Sequence, residues 1–312
     1  MRDCFHLIDE LKKKNICLAP MAEVNDLAFR MLCRNHGVKI CWTGMINSFQ
    51  WSQGDGYRKK AFMHVDEDHP LIGQLAGADH EQIIQAAIDL SQFCDAIDIN
   101  LGCTMRIAGR SQYGYYMCDT VAKRERVCEL FKALSSRVSV PIFAKIRIIM
   151  NDDGLPDTDI TVAFAKALEK SGASAIQVHA RFEHRNKNSE VMYDVIKRVV
   201  EAVRIPVIAN GGIYSKEEAE RVMDITGAVS VSVGQALLEN PTKFDPDGEL
   251  NREMFMLEYL ELSKRYFNGI FAPSKMTFKY YDQQIRANPE LATIIKNAKT
   301  IDELITFVKE QH

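Results

Sequence analysis

The chain has 312 residues, 46% hydrophobic and 26% charged, with a formal net charge of -3. This composition excludes wholesale disorder, and the charge excludes a strongly basic protein, though not a local basic surface. No apolar run reaches the length of a membrane-spanning helix, and Met1 to Lys14, mixed polar with three lysines, does not read as a signal peptide.

Short β-rich runs alternate with longer helical patterns. Ile16 to Ala19 reads as a first strand, followed by helical spacing over Leu27 to Arg34. Lys39 to Thr43 is a second strand and Leu71 to Leu75 a third. An amphipathic helix follows from Asp79 to Phe93, then a fourth strand from Ala96 to Asn100. Val121 to Ser135 is helical, and Pro141 to Arg147 is the fifth strand. A helix over Thr158 to Lys170, ended by Gly172, leads to a sixth strand, Ser174 to His179. Val191 to Val203 is a helix before the seventh strand, Pro206 to Ala209. Ser215 opens another helix, with Glu218 three residues on as a capping box. Ala228 to Val233 is the eighth strand.

Eight strands alternating with helices predict a (β/α)₈ barrel, an α/β fold of roughly 250 residues. The strands are continuous apolar runs, as parallel strands covered on both faces should be. An open doubly wound sheet is the runner-up, but no Gly-x-Gly-x-x-Gly follows the first strand. Beyond Leu250 the pattern is helical and aromatic-rich. Glu253 to Phe267, Pro273 to Arg286 and Pro289 to Lys309 read as three helices. The expected division is a barrel domain over residues 1–248 and a small C-terminal helical domain over 249–312.

Of eight cysteines, none forms a Cys-x-x-Cys pair, so no zinc site is expected. The chain is long and reads as reduced, in the cytoplasm with the nucleus as an alternative. Most cysteines sit in apolar segments and read as small core residues. Cys103 differs, because it follows Asn100-Leu101-Gly102 where a strand gives way to a loop.

The active site of a β/α barrel forms at the C-terminal ends of its strands. Those ends carry Pro20 and Met21, Gln74, Asn100 and Cys103, Lys145 and Arg147, His179 and Arg181, Asn210-Gly211-Gly212, and Gly234-Gln235. A lysine inside Ile142-Phe143-Ala144-Lys145-Ile146 is costly unless it meets an anion or acceptor. It reads either as a structural ion pair or as a functional group at the barrel mouth. His179 reads either as a satisfied core histidine or as a site residue. Glycine turns after strands seven and eight mark the usual phosphate site of a barrel.

The set Leu18-Ala19-Pro20-Met21, Gln74-Leu75, Asp98-Ile99-Asn100-Leu101-Gly102-Cys103, Tyr113-Gly114, Lys145-Ile146-Arg147, Val178-His179-Ala180-Arg181 and Ile205 to Gly212 resembles the tRNA-dihydrouridine synthases. These are flavin enzymes that reduce uridines in tRNA. The order and spacing cover most of Ile16 to Phe244, and the Asp95 to Cys103 and Arg110-x-x-Tyr113-Gly114 segments are most similar to the eukaryotic branch acting on the D-loop. The helical tail is similar, more diffusely, to the family's RNA-binding domain.

The resemblance implies FMN as cofactor, re-reduced by NADPH or NADH, and tRNA as partner, with no membrane and a monomeric state. It implies Cys103 as proton donor to uracil C5. Lys145 would stabilise negative charge on the reduced flavin near N1 and O2, and Gln74 would bond the ring's other edge. Pro20 and Met21 would contact the ring. His179 would touch the ribityl-phosphate region, and Asn210, Gly212, Gly234 and Gln235 would line the phosphate site. Asn100 and Arg181 would hold the uracil. Three positions depart from the family pattern: Thr104 replaces proline after the cysteine, Gln235 replaces arginine, and Glu23 replaces a small or apolar residue. A different flavin barrel acting on a small pyrimidine, such as a dihydroorotate dehydrogenase, and a redox-inactive tRNA-binding paralogue are the alternatives.

The residues from Asn251 to His312 carry nine Lys/Arg against eight Asp/Glu, so the tail is not basic. Basic residues group instead in loops after strand two (Arg58, Lys59, Lys60), strand four (Arg106, Arg110, Lys123, Arg124, Arg126) and strand six (Arg181, Arg185, Lys187). All three loops leave the mouth face, where they can form an electrostatic footprint for RNA. Tyr113, Tyr115 and Tyr116 are candidates for stacking on bases.

Overall fold

A computed structural model describes residues 4–181, 190–267, 269 and 271–311. The strands are β1 (Ile16–Leu18), β2 (Ile40–Trp42), β3 (Ile46–Asn47), β4 (Leu71–Ala76), β5 (Ala96–Leu101), β6 (Ile142–Arg147), β7 (Ala175–His179), β8 (Val207–Asn210) and β9 (Ser230–Val233). All pair in parallel, and β1 joins β9 while β2 joins β4, which closes the ring. The fold is the expected barrel.

The extra segment β3 was not anticipated. β2 pairs with β4 at Cys41–Leu71 and Trp42–Ile72, and β3 rejoins β4 at Ile46–Leu75 and Asn47–Ala76. Two segments therefore share one barrel position. In the gap, the Thr43 hydroxyl accepts from the Gln74 N–H at 3.0 Å.

A helix over Cys4–Leu11, also unanticipated, lies under the barrel. Its Leu7 and Leu11 pack with Cys17, Ile40, Trp42, Ile72, Ala96, Phe143, Ala175 and Ile208 in one buried cluster. That cluster is the apolar floor of the barrel, and each of its larger side chains contributes about 1.5–3 kcal/mol by leaving water. A second, larger core lies between the strands and the surrounding helices. The helix opened by Ser215 runs Lys216–Thr226. The Ser215 hydroxyl accepts from Glu218 N–H at 3.2 Å, while the Glu218 carboxylate reaches back to the Tyr214 N–H.

The tail is helical from Arg252, but two of its three expected helices are each broken in two. Phe271–Tyr280 and Asp282–Ala287 are separated at Tyr281, whose buried ring meets Phe307 edge-on. Glu290–Asn297 and Ile301–Glu310 are separated by Thr300, which caps the second helix by accepting from Glu303 N–H. The Thr300-x-x-Glu303 spacing was a readable start signal. Helix Arg252–Tyr266 packs on helix Leu27–Asn35 beside the mouth. Tyr259 donates to Asp26 Oδ2 at 2.8 Å, and His36 is held between Asp245 and Glu258.

Candidate active site

Strand parity decides what the barrel interior contains. Above the apolar floor, the next inward positions are Gln74, Asp98, Lys145, Gln177, Asn210 and Ser232. The first five share their strand's parity with a floor residue, namely Ile72, Ala96, Phe143, Ala175 and Ile208 in turn, and Ser232 shares it with the buried Ser230, whose hydroxyl donates to the Leu11 carbonyl. One step higher on the same parity come Asn100, Arg147 and His179. A polar layer therefore overlies an apolar one, at the C-terminal end where a barrel does chemistry.

One hydrogen-bonded chain runs through this layer. Asp98 Oδ2 accepts from Trp42 Nε1 at 3.0 Å and from Gln74 Nε2 at 2.8 Å. Gln74 Oε1 accepts from Asn100 Nδ2 at 3.0 Å. Asn100 Oδ1 accepts the backbone N–H groups of Gly102, at 3.2 Å, and Cys103, at 3.1 Å. Burial pushes the Asp98 carboxyl up to about 6, against the hydrogen bond from Gln74 and the nearby Lys145 charge. Burial brings the Lys145 ammonium down to about 8, against the attraction of Asp98. Lys145 Nζ donates to Asn210 Oδ1 at 2.9 Å, and Asn210 Nδ2 donates to the Ser232 carbonyl at 2.7 Å. Lys145 thus has an acceptor on one side and a buried carboxylate in its field.

The Cys103 loop is built by close approach. Gly114 has φ +66°, and a Cβ there would lie 2.8 Å from Cys103 Cβ. Tyr115 N–H donates to the Cys103 carbonyl at 3.0 Å. Arg147 Nε donates to the Gly102 carbonyl at 2.9 Å and Nη1 to the Arg181 carbonyl at 3.2 Å. Arg147 is buried, and that burial pulls its guanidinium down to about 10. Cys17, Cys33, Cys41, Cys94, Cys103, Cys118 and Cys128 are free thiols. Cys103 and Cys128 are half-buried and the other five buried, as expected for core residues.

The remaining predicted residues line the same rim. Pro20 and Met21 follow β1, half-buried, and a Cβ on Gly234 would sit 3.6 Å from Met21 Sδ. His179 lies against Gly211, where a Cβ would meet its Cδ2 at 2.8 Å. Gly212 has φ +70°. Gln235 is exposed, and its side chain bonds Glu239 on its own helix at 2.9 Å. Arg181 is half-buried, and its Nε has no partner among the described residues. Arg185 and Lys187 lie outside the described residues.

Several surface expectations change. Tyr113 and Tyr115 are buried, because they support the Cys103 loop rather than face solvent. Arg58 folds back to donate to the Trp51 carbonyl, Lys123 is taken by Asp119 and Gln112, and Arg124 by the Cys118 carbonyl. Glu23 forms an exposed ion pair with Lys275 of the tail. Asp98, Arg147 and Gly114 were not assigned roles from the sequence. Strand parity was the signal for the first two, and a glycine forced by contact left no sequence signal beyond its identity.

A family model described as Dihydrouridine synthase (Dus) matches residues 17–301. The chain belongs to the dihydrouridine synthase family. A rat protein named as a tRNA-dihydrouridine(16/17) synthase, NAD(P)(+)-like, is 32% identical over 290 residues, covering 91% of this chain and 64% of that protein. A mouse counterpart is covered over 59% of its length, so the chain spans under two thirds of these two relatives. A human tRNA-dihydrouridine(20a/20b) synthase, NAD(P)+-like, is 37% identical over 227 residues, covering 72% of this chain and 69% of that protein. A probable tRNA-dihydrouridine synthase of Aquifex aeolicus is 29% identical, with 96% of each chain covered. The solved structure of morphinone reductase matches with a TM-score of 0.54 at 11% identity, over 73% of this chain and 84% of that one. That likeness is one of fold.

The barrel mouth suits a flavin on two counts. Lys145 has three donors, and among the described residues one of them is used, on Asn210. At the glycine turns, the backbone N–H groups of Gly212 and Gly234 make no hydrogen bond among the described residues, which leaves them open to phosphate oxygens. No group of three metal-ligating side chains stands together among the described residues. Nor is any helix there long and apolar enough to cross a membrane.

Proposed function

We propose that the chain is an FMN-dependent tRNA-dihydrouridine synthase that reduces the 5,6 double bond of a uridine in the tRNA D-loop. The observation that carries this reading is the placement of Cys103. Its half-buried thiol stands on a loop tied by Asn100 and Gly114, and Asn100 pairs in register with Lys145. When bound, FMN supplies the hydride for C6 of the uracil and is re-reduced by NADPH or NADH. The names of relatives support the nicotinamide and the positions 16/17 and 20a/20b.

The chain's own groups do the rest. With FMN bound, Lys145 would set its positive charge against negative charge on the reduced ring, and its burial would make that charge effective. Gln74 is oriented by Asp98 and Asn100, so its amide meets the ring in one sense only. Pro20 and Met21 would hold the ring. His179, Asn210, Gly212, Gly234 and the backbone of Gln235 hold the ribityl phosphate. Cys103 would hold the proton destined for C5 of the uracil, and its thiolate would be reprotonated from solvent. Arg181 and Asn100 hold the uracil, residues 249–312 bind the tRNA, and the protein works as a monomer in the cytoplasm.

The test uses the purified full chain loaded with FMN, with NADPH and tRNA lacking dihydrouridine. Dihydrouridine should form, and Cys103→Ala should keep the flavin spectrum but lose most of the product. Turnover of dihydroorotate without tRNA activity would replace this reading with that of a small-pyrimidine enzyme. A protein that stays colourless in FMN would replace it with a redox-inactive RNA binder.

A further inference from the structure

Just past Cys103 the chain presents two large apolar side chains to solvent. Met105 is 51% exposed and Ile107 60%. Their support is rigid. The short helix Arg106–Arg110 is pinned by the fully buried Ala108 and by Tyr116, whose ring would lie 3.0 Å from a Cβ on Gly109. Tyr116 also donates to the Thr104 carbonyl at 3.4 Å, and Tyr113 N–H to the Ala108 carbonyl at 3.1 Å.

Arg106 and Arg110 alternate with these tips and are also exposed. Neither makes an ion pair or side-chain hydrogen bond among the described residues. Lys123 and Arg124, farther along the same connection, are both engaged. No carboxylate occurs between Cys103 and Cys118. Apolar tips between unpaired guanidiniums match a surface that is itself apolar and polyanionic. The exposed base faces and phosphates of an unstacked RNA strand have that character.

We propose that Met105 and Ile107 form a wedge against the bases flanking the one presented to Cys103, with Arg106 and Arg110 on the adjoining phosphates. This rests on the tRNA reading above and adds the residues that keep the loop open. A base must leave its stack to enter the barrel mouth, and apolar side chains filling the gap offset the cost of unstacking.

The test measures binding of unmodified transcribed tRNA to the full chain by fluorescence anisotropy across a salt series. Met105→Ser/Ile107→Ser should weaken binding about tenfold with an unchanged salt slope. Arg106→Gln/Arg110→Gln should weaken it and reduce the slope by roughly 1.4, two phosphates' worth on a single strand. Met105→Leu/Ile107→Leu should bind like the wild type, and FMN absorbance reports folding of each variant. Wild-type affinity in the serine double variant, with the wild type binding tRNA, would overturn the wedge alone. Absence of tRNA binding by the wild type would overturn the tRNA reading and the wedge with it. A serine double variant that changes only the sedimentation of the protein would show a protein interface instead.

Discussion

Gly114 and Cys103 are packed so closely that the glycine can carry no side chain. A Cβ would lie 2.7 Å from the Cys103 carbonyl oxygen and 2.8 Å from its Cβ, and the backbone has φ +66°. Both space and conformation therefore demand glycine. Gly114→Ala should displace the thiol loop and lower the single-turnover rate of uridine reduction by about 100-fold, as expected for a misplacement of about 1 Å. Flavin binding should be retained, and absorbance titration with FMN checks it.

Asn100 should behave as the tie between the polar layer and that loop. Its amide joins Gln74 to the N–H groups of Gly102 and Cys103. Asn100→Ala should lower reduction more than it lowers tRNA affinity. Asp98→Asn retains an acceptor for Trp42 and Gln74 and should fold. Asp98→Ala leaves both donors buried without a partner and should cost about 2–5 kcal/mol. Urea denaturation of the two Asp98 variants measures the difference.

Two ion pairs should differ sharply in worth. Asp68 is fully buried and accepts from Arg30 at 2.6 Å and from Arg34 at 3.0 Å. Asp68→Ala strands a buried guanidinium and should lose about 3–5 kcal/mol of stability. Glu23 and Lys275 are exposed, so Glu23→Ala should change stability by no more than about 1 kcal/mol. Thermal melts of both variants in one buffer test the contrast.

The clasp at His36 should make tail docking pH-dependent. Burial disfavours the imidazolium, but Asp245 and Glu258 outweigh it, so its pKa lies above the ordinary 6.5. Its contribution is fully present below about 6.5 and is lost as pH rises through the elevated folded value. The hydrogen bond to His36 lowers Asp245, which then contributes above 3.8 and loses that as pH falls through its folded value. His36→Gln should cost about 1–3 kcal/mol near pH 6 and progressively less toward pH 9. Proteolysis of the tail at the two pH values gives the readout.

The sequence by itself determined the barrel, its polar strand ends and the singular cysteine. Alternating apolar runs and helical spacing are local signals, and parallel strands covered by helices must read that way. The same locality hid the capping break at Thr300 only because a longer helix was read through it. Tertiary structure alone decided which polar residues meet. Closing eight strands with a fixed register brings Asp98, Gln74 and Asn100, from two strands, into one chain that ends on Cys103. It also sorted the basic loops, folding Arg58, Lys123 and Arg124 onto the protein while leaving Arg106 and Arg110 without a side-chain partner among the described residues. Such choices depend on distances between segments far apart in sequence, and a linear pattern does not contain those distances.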